Sequence, residues 1–213
     1  SFIETNFGGN DYGDPGLYYG ARVISEQTAY KYKMASHTSR FGAVNALYAQ
    51  ATGDAAAKDK AFRSLNWASY MARNNGTVNE GPAENSNRGY FWFTDGHGDY
   101  VRHFMLAMGA FPEWAPGGEN HLLRSSSVVK SISYASGAID YQTYHAASTE
   151  VFRVGSAPTS VSAGGTALPQ RSDLAAAGWV YDSASGVLSV RHDAAAQIRV
   201  AFDNSPPPPP PPP

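Results

Sequence analysis

Apolar and polar positions along this chain follow two different periods, and the change falls near Pro112. Before it, apolar residues recur at helical spacing. Asp14-Pro15 reads as an N-cap with proline at the first helical position, and Leu17, Ala21, Ile24 and Thr28 then share one stripe. Phe41, Val44, Tyr48 and Ala51 predict a second helix, stopped by Gly53. Asp54 caps a third, whose face is Ala61, Leu65, Ala68 and Ala72, ended by Asn74-Asn75-Gly76. Asp99 caps a fourth, carrying Val101, Phe104, Leu106 and Met108 and halted before Pro112. Residues 38–73 therefore read as an antiparallel helical hairpin joined by Thr52-Gly53-Asp54.

After Pro112 the period becomes two. Residues 128–134, 139–144, 149–154, 159–163, 179–182, 187–191 and 197–202 are short runs rich in β-branched and aromatic side chains. Ser136-Gly137, Gly164-Gly165 and the stretch 182–186 supply the turns between them. Such a series predicts a small antiparallel β-sandwich. The expected organisation is a helical domain over residues 1–113, a β-sandwich over 121–203, and a proline-rich tail or linker over 204–213. Residues 114–120 form the joint. Pro206 to Pro213 has no amide donors, so it is expected to be a polyproline II rod, either a stiff spacer or a segment that docks in an aromatic groove.

Composition narrows the class of function. Charged residues make up 16% of the 213 residues and the net charge is −2. An average soluble domain carries roughly 25% charged residues. This balance gives no electrostatic footing for nucleic acid or an anionic membrane surface. The absence of cysteine excludes disulfides, thiolate nucleophiles and cysteine-ligated zinc. No apolar run approaches the roughly 18 residues of a membrane span. The opening Ser1-Phe2-Ile3 fits a processed product or a fragment, and the abundance of Gly, Ser, Thr, Asn, Tyr and Ala points to a secreted, extracellular protein.

Chemistry concentrates in residues 88–103. Tyr90, Phe91, Trp92 and Phe93 adjoin Asp95, His97, Asp99, Arg102 and His103, with glycines between. A core does not need that density of ionisable groups, and a solvated loop does not need those rings. The mixture suits a cleft that stacks on a flat, hydroxyl-rich ligand. Asp95 and Asp99 are a carboxylate pair of the kind glycoside cleavage uses, one donating a proton and one activating water or attacking carbon. Asp99 has helix capping as its competing role. His97 suits a general acid or base, or a hydrogen-bonding surface group. Arg102 suits a bidentate clamp on a uronic carboxylate, or an internal salt bridge, with His103 beside it.

In an extended segment alternate residues face opposite ways, so Tyr90 and Trp92 would be presented while Phe91 and Phe93 are buried. Tyr100 completes that platform, and Tyr12, Tyr18 and Tyr19 are placed to join it; the competing reading puts the rings in the core. No metal-ligand spacing is present among these groups, and no cofactor is expected. Tyr134, Tyr141 and Tyr144 offer either a second sugar-binding face or cross-strand packing.

The order of helical hairpin, Gly-Tyr-Phe-Trp-Phe-Thr-Asp-Gly-His-Gly-Asp-Tyr loop, helix and terminal sandwich resembles the C-terminal portion of secreted α/α-toroid (six-hairpin) carbohydrate-active enzymes. Residues 147–153 and 179–190 look like the accessory sandwiches of that group. The likeness covers about residues 14–203. It implies a partial α/α toroid followed by a β-sandwich, with a polysaccharide as partner and glycoside hydrolase or polysaccharide lyase activity. The missing part of the ring would come from an N-terminal module or from other copies of the chain. The alternative is an extracellular structural or filament subunit that assembles through aromatic surfaces and the proline tail. A third reading is a carbohydrate-binding module alone.

Overall fold

The computed structural model describes residues 2–8, 17–18, 20–25, 28, 33–72, 74, 78 and 96–203, with backbone alone for 17–18 and 96–99. The chain divides into two compact units, Ser1–Phe111 and Pro112–Pro213. The first is mainly helical and the second is all β, so the protein is α+β.

The first unit opens with α1 (Phe2–Phe7), followed by β1 (Leu17–Tyr18) and β2 (Ala21–Arg22). Within the helix expected from Pro15 through Thr28, residues 17–18 and 21–22 instead form this hairpin, in which Leu17 pairs with Arg22 and Tyr18 with Ala21. Gly20 at φ 83° makes the tight turn that a helix could not contain. The period-four spacing of Leu17, Ala21 and Ile24 was accidental.

Two long helices follow, α2 (Ala35–Thr52) and α3 (Ala55–Ser69). Gly53, at φ 75°, sends its N–H to Ala49 O and ends α2, while the Asp54 carboxylate accepts from Ala56 N and Ala57 N and starts α3. Helix α3 buries Ala61, Leu65 and Ala68, the stripe its sequence predicts. It stops at Ser69, well before Asn74. Helix α2 differs from expectation. Phe41 is buried, but Val44 and Tyr48 are 55% and 54% exposed. The buried face consists of Ala35, Ser39, Gly42, Ala43, Ala46 and Ala49. Small residues win that face because α2 packs against both α3 and α4 (Gly96–Ala110), and close helix approach needs short side chains. Ala21, Val23, Ala35, Trp67, Ala68, Val78 and Tyr100 form the core here, with Met71 and Phe104 against it.

The second unit begins with a 3-10 turn at Pro112–Trp114 and continues through β3 (His121–Ser125), β4 (Val129–Ala135), β5 (Ala138–Thr143), β6 (Ser148–Arg153), β7 (Pro158–Ala163), β8 (Thr166–Leu168), β9 (Gly178–Asp182), β10 (Val187–His192) and β11 (Gln197–Phe202). All pairings between these strands are antiparallel. One sheet runs β3-β6-β10-β9 and the other β4-β5-β11-β7-β8. Every strand predicted from the period of two is present. Strands β3 and β8 were not foreseen, because His121-Leu-Leu-Arg-Ser125 does not alternate and Thr166–Leu168 is only three residues long.

Ile139, Tyr141, Phe152, Val161, Trp179, Leu188, Val190, Ile198 and Val200, drawn from both sheets, make one core. The Tyr141 and Phe152 rings meet across it with centroids 5.4 Å apart. The proline run lies outside the described residues.

Candidate functional site

In the helical unit, the sequence-predicted ribbon leads into α4. Tyr90, Trp92 and Asp95 lie outside the described residues. His97 and Asp99 are on the first turn of α4. Because that helix begins at Gly96, Asp99 sits inside its first turn rather than at the cap position.

Tyr100 is 6% exposed, donates its hydroxyl to Ala68 O at 2.8 Å, and lies 4.8 Å from the Phe104 ring. It is packed between α3 and α4, and burial pushes its phenol up to about 12. Tyr100 is therefore a core ring and not an exposed stacking platform. Arg102 is an exposed residue of the following turn.

His103 is 5% exposed and accepts from Arg40 Nε at 3.5 Å. That contact brings α2 and α4 together one turn beyond Asp99. An imidazole nitrogen that accepts must be unprotonated, which leaves the ring proton on Nδ1. The start of α2 is polar although it is buried. Lys33, Ser36, Thr38 and Ser39 all lie inside, and Ser36 Oγ is 3.2 Å from His37 Nδ1. Thr38 Oγ1 accepts from Ile24 N at 2.9 Å, which ties this turn to the strand segment before it. Lys33, His37 and Arg40 were not singled out from the sequence. The available signal was the polar run Lys33-Met-Ala-Ser-His-Thr-Ser-Arg40, placed where an apolar helix face would be expected.

The sandwich holds a second polar centre. Ser148, Glu150 and Phe152 alternate inward on β6, and Leu188, Val190 and His192 do so on β10. Ser148 pairs directly with His192, which sets Glu150 diagonally beside the imidazole. His192 Nε2 lies 3.0 Å from Glu150 Oε2 and 3.1 Å from Ser148 Oγ, while Nδ1 is 2.7 Å from Ala146 O. Tyr141, from the opposite sheet, donates to Glu150 Oε2 at 3.0 Å. Ser125 on β3 donates to Oε1 at 2.9 Å, and Ser148 donates to Oε1 as well.

Burial alone would raise the Glu150 carboxyl, but His192 and the three hydroxyls outweigh it and hold it below the ordinary range. Burial would lower His192, and Glu150 with the Ala146 carbonyl raises it instead. Tyr141 is pushed far up by burial and then by the neighbouring carboxylate.

Serine, histidine and glutamate are the residue types of a hydrolytic triad, but this arrangement is not one. Ser148 and Glu150 meet the same imidazole nitrogen, whereas a triad uses one nitrogen for the nucleophile and the other for the acid. Glu150 and His192 are also 0% and 1% exposed, so no substrate reaches them. Tyr141, one of the suggested sugar-facing rings, is part of this closed centre. Tyr134 is exposed and accepts from Leu122 N at 3.0 Å, and Tyr144 is 64% exposed.

Among the described residues no group of three or more His, Asp or Glu side chains could hold a metal ion, and no helix is long and apolar enough to cross a membrane. No protein-family model, curated protein or solved structure matches the chain.

Proposed function

We propose that this chain is a secreted polysaccharide-processing or polysaccharide-binding protein, part of a glycoside hydrolase or polysaccharide lyase of the α/α-toroid kind. Its glycan is taken at the start of α4. The observation that carries the reading is the contact of Arg40 with His103, which fixes a cation beside the helix that bears His97 and Asp99. A held guanidinium suits uronic carboxylates and sugar hydroxyls. Asp95 and Asp99 supply the acids that glycosidic bond cleavage requires, and Tyr90 and Trp92 supply rings for stacking against a pyranose.

The test uses the full chain against panels of acidic and neutral polysaccharides. It follows binding, reducing-end release, and the ultraviolet absorbance of unsaturated uronides that only a lyase forms. Trp92→Ala is expected to weaken binding by about tenfold, the scale of one lost aromatic contact. Asp95→Asn is expected to stop release without abolishing binding. Arg40→Ala should weaken acidic glycans more than neutral ones. No binding and no release on any glycan would overturn the proposal.

A second reading, a structural subunit, is favoured by the apolar side chains that α2 and α4 leave outside: Leu47 at 42%, Tyr48 at 54%, Met105 at 51% and Leu106 at 47% exposed. An oligomer dispersed by Leu47→Ser and Met105→Ser, in protein that binds no glycan, would select it.

A further inference from the structure

The closed polar centre of the sandwich has a definite proton arrangement. The Ala146 carbonyl can only accept, so His192 Nδ1 carries a proton. Ser148 donates to Glu150 Oε1, which leaves a lone pair of its hydroxyl facing His192 Nε2. A bare Nε2 would then face lone pairs from both Ser148 and Glu150. A proton on Nε2 satisfies them together.

The alternative, a neutral imidazole accepting from a protonated Glu150, is opposed from both sides. Hydroxyl donors from Ser125, Ser148 and Tyr141 lower the proton affinity of the carboxyl group. The carbonyl on Nδ1 raises that of the imidazole. The ring is therefore an imidazolium, and the pair is charged inside the core.

We propose that His192 and Glu150 form a charge-bearing latch that holds the connection between β5 and β6 on the sandwich end, and that alkaline loss of the imidazolium proton releases it. A neutral imidazole has one N–H. It must abandon either Ala146 O or Glu150 Oε2, and the second choice leaves a buried carboxylate short of one donor. The connection concerned, residues 144–147, carries the exposed Tyr144, whose ring meets His145 edge-on and lies under Lys130 Nζ. The charge state beneath thus sets how firmly this surface is presented.

The titratable groups facing the imidazole are Glu150 from β6 and Tyr141 from β5, the latter with ring centroids 6.4 Å apart. Ser148 and the backbone of Ala195 also meet the ring, and Ser125 from β3 bonds the far oxygen of Glu150. On its own strand Arg191 points away, donating to Leu174 O and Ala175 O, and the adjoining Asp193 is exposed. The imidazolium is favoured in the folded chain, so the latch is complete below the ordinary histidine range and fails as pH rises through the raised value.

Nitrogen NMR of the uniformly labelled full chain tests this directly. The pH at which the His192 ring loses its second nitrogen-bound proton should lie above that of an ordinary imidazole. Amide exchange at residues 144–148, corrected for intrinsic rate, should rise about tenfold or more as that ring titrates, while Val161 and Val200 stay protected. Glu150→Gln should move the His192 titration down, since burial is then opposed only by the backbone bonds to Ala146 and Ala195. A His192 ring that titrates at or below the ordinary imidazole value, or exchange at 144–148 that ignores its titration, would overturn the latch. The wild-type measurement decides alone if Glu150→Gln does not fold.

Discussion

Gly42 of α2 lies against Leu65 of α3 so closely that a Cβ at position 42 would come 2.7 Å from Leu65 Cγ and 3.3 Å from Ala61 O. The hairpin depends on that missing methyl group. Gly42→Ala gains about 1 kcal/mol of helix propensity, but it drives into a branch point that cannot swing aside. Overpacking of this kind costs about 1–3 kcal/mol, so the net change is destabilising. The denaturant midpoint of the helical unit should fall in Gly42→Ala and recover in part when Leu65→Ala is added, although Leu65→Ala alone is destabilising.

Tyr100 gives the helical unit an alkaline limit. Burial raises its phenol from 10.0 to about 12, so the folded state resists ionisation that the unfolded chain accepts. Stability is intact below pH 10 and declines as pH rises through the folded value, by up to about 2–3 kcal/mol. Tyr100→Phe should flatten that decline while losing about 1 kcal/mol at neutral pH with the bond to Ala68 O. Unfolding curves between pH 8 and 12 (a range set by the ordinary and raised values), with phenolate absorbance as a second probe, check both parts.

Glu150 sets the acid limit of the sandwich. Its carboxyl is held below the ordinary value by hydrogen bonds to His192 and the three hydroxyls, against the opposing effect of burial. Its contribution is present above the unfolded value and is lost as pH falls through the folded one. Tyr141→Phe removes one donor, which should cost about 1–2 kcal/mol at neutral pH and move the acid transition upward. An unchanged acid midpoint in Tyr141→Phe would show that this hydroxyl does not support the carboxylate.

Arg199 Nη1 donates to both carboxylate oxygens of Asp140 at 2.9 Å on the outer face of the second sheet, with side chains 59% and 47% exposed. Water screens it. Arg199→Ala should cost less than about 1 kcal/mol, and added salt should erase the difference. Thermal unfolding at low and high ionic strength measures it against the much larger effect expected at Glu150.

The local signals that survived folding share one property: each is settled within a few residues. Asp54 caps α3 because its own carboxylate reaches the amides two and three residues on, and Gly53 stops α2 because glycine readily takes the left-handed turn. The strands of the sandwich were legible because alternation along one strand already states which side is buried. The helix misread at Pro15 shows the limit. Spacing of four fits both a helix stripe and chance, and the pairing of Leu17 with Arg22 decided the matter.

What the chain alone determined is therefore the two periods, the turns and caps, the lack of cysteine and the clustering of rings with acids before α4. Tertiary structure decided which face of α2 is inner, since that depends on two neighbouring helices rather than on the size of its own residues. It also took Tyr100 into the core and placed Arg40 on His103, 63 positions away. Glu150 and His192 look like ordinary polar interruptions in apolar strands. They become a single charged centre only because strand register and sheet stacking bring together groups from β3, β5, β6 and β10, and no local pattern encodes contacts made across a sheet or between two of them.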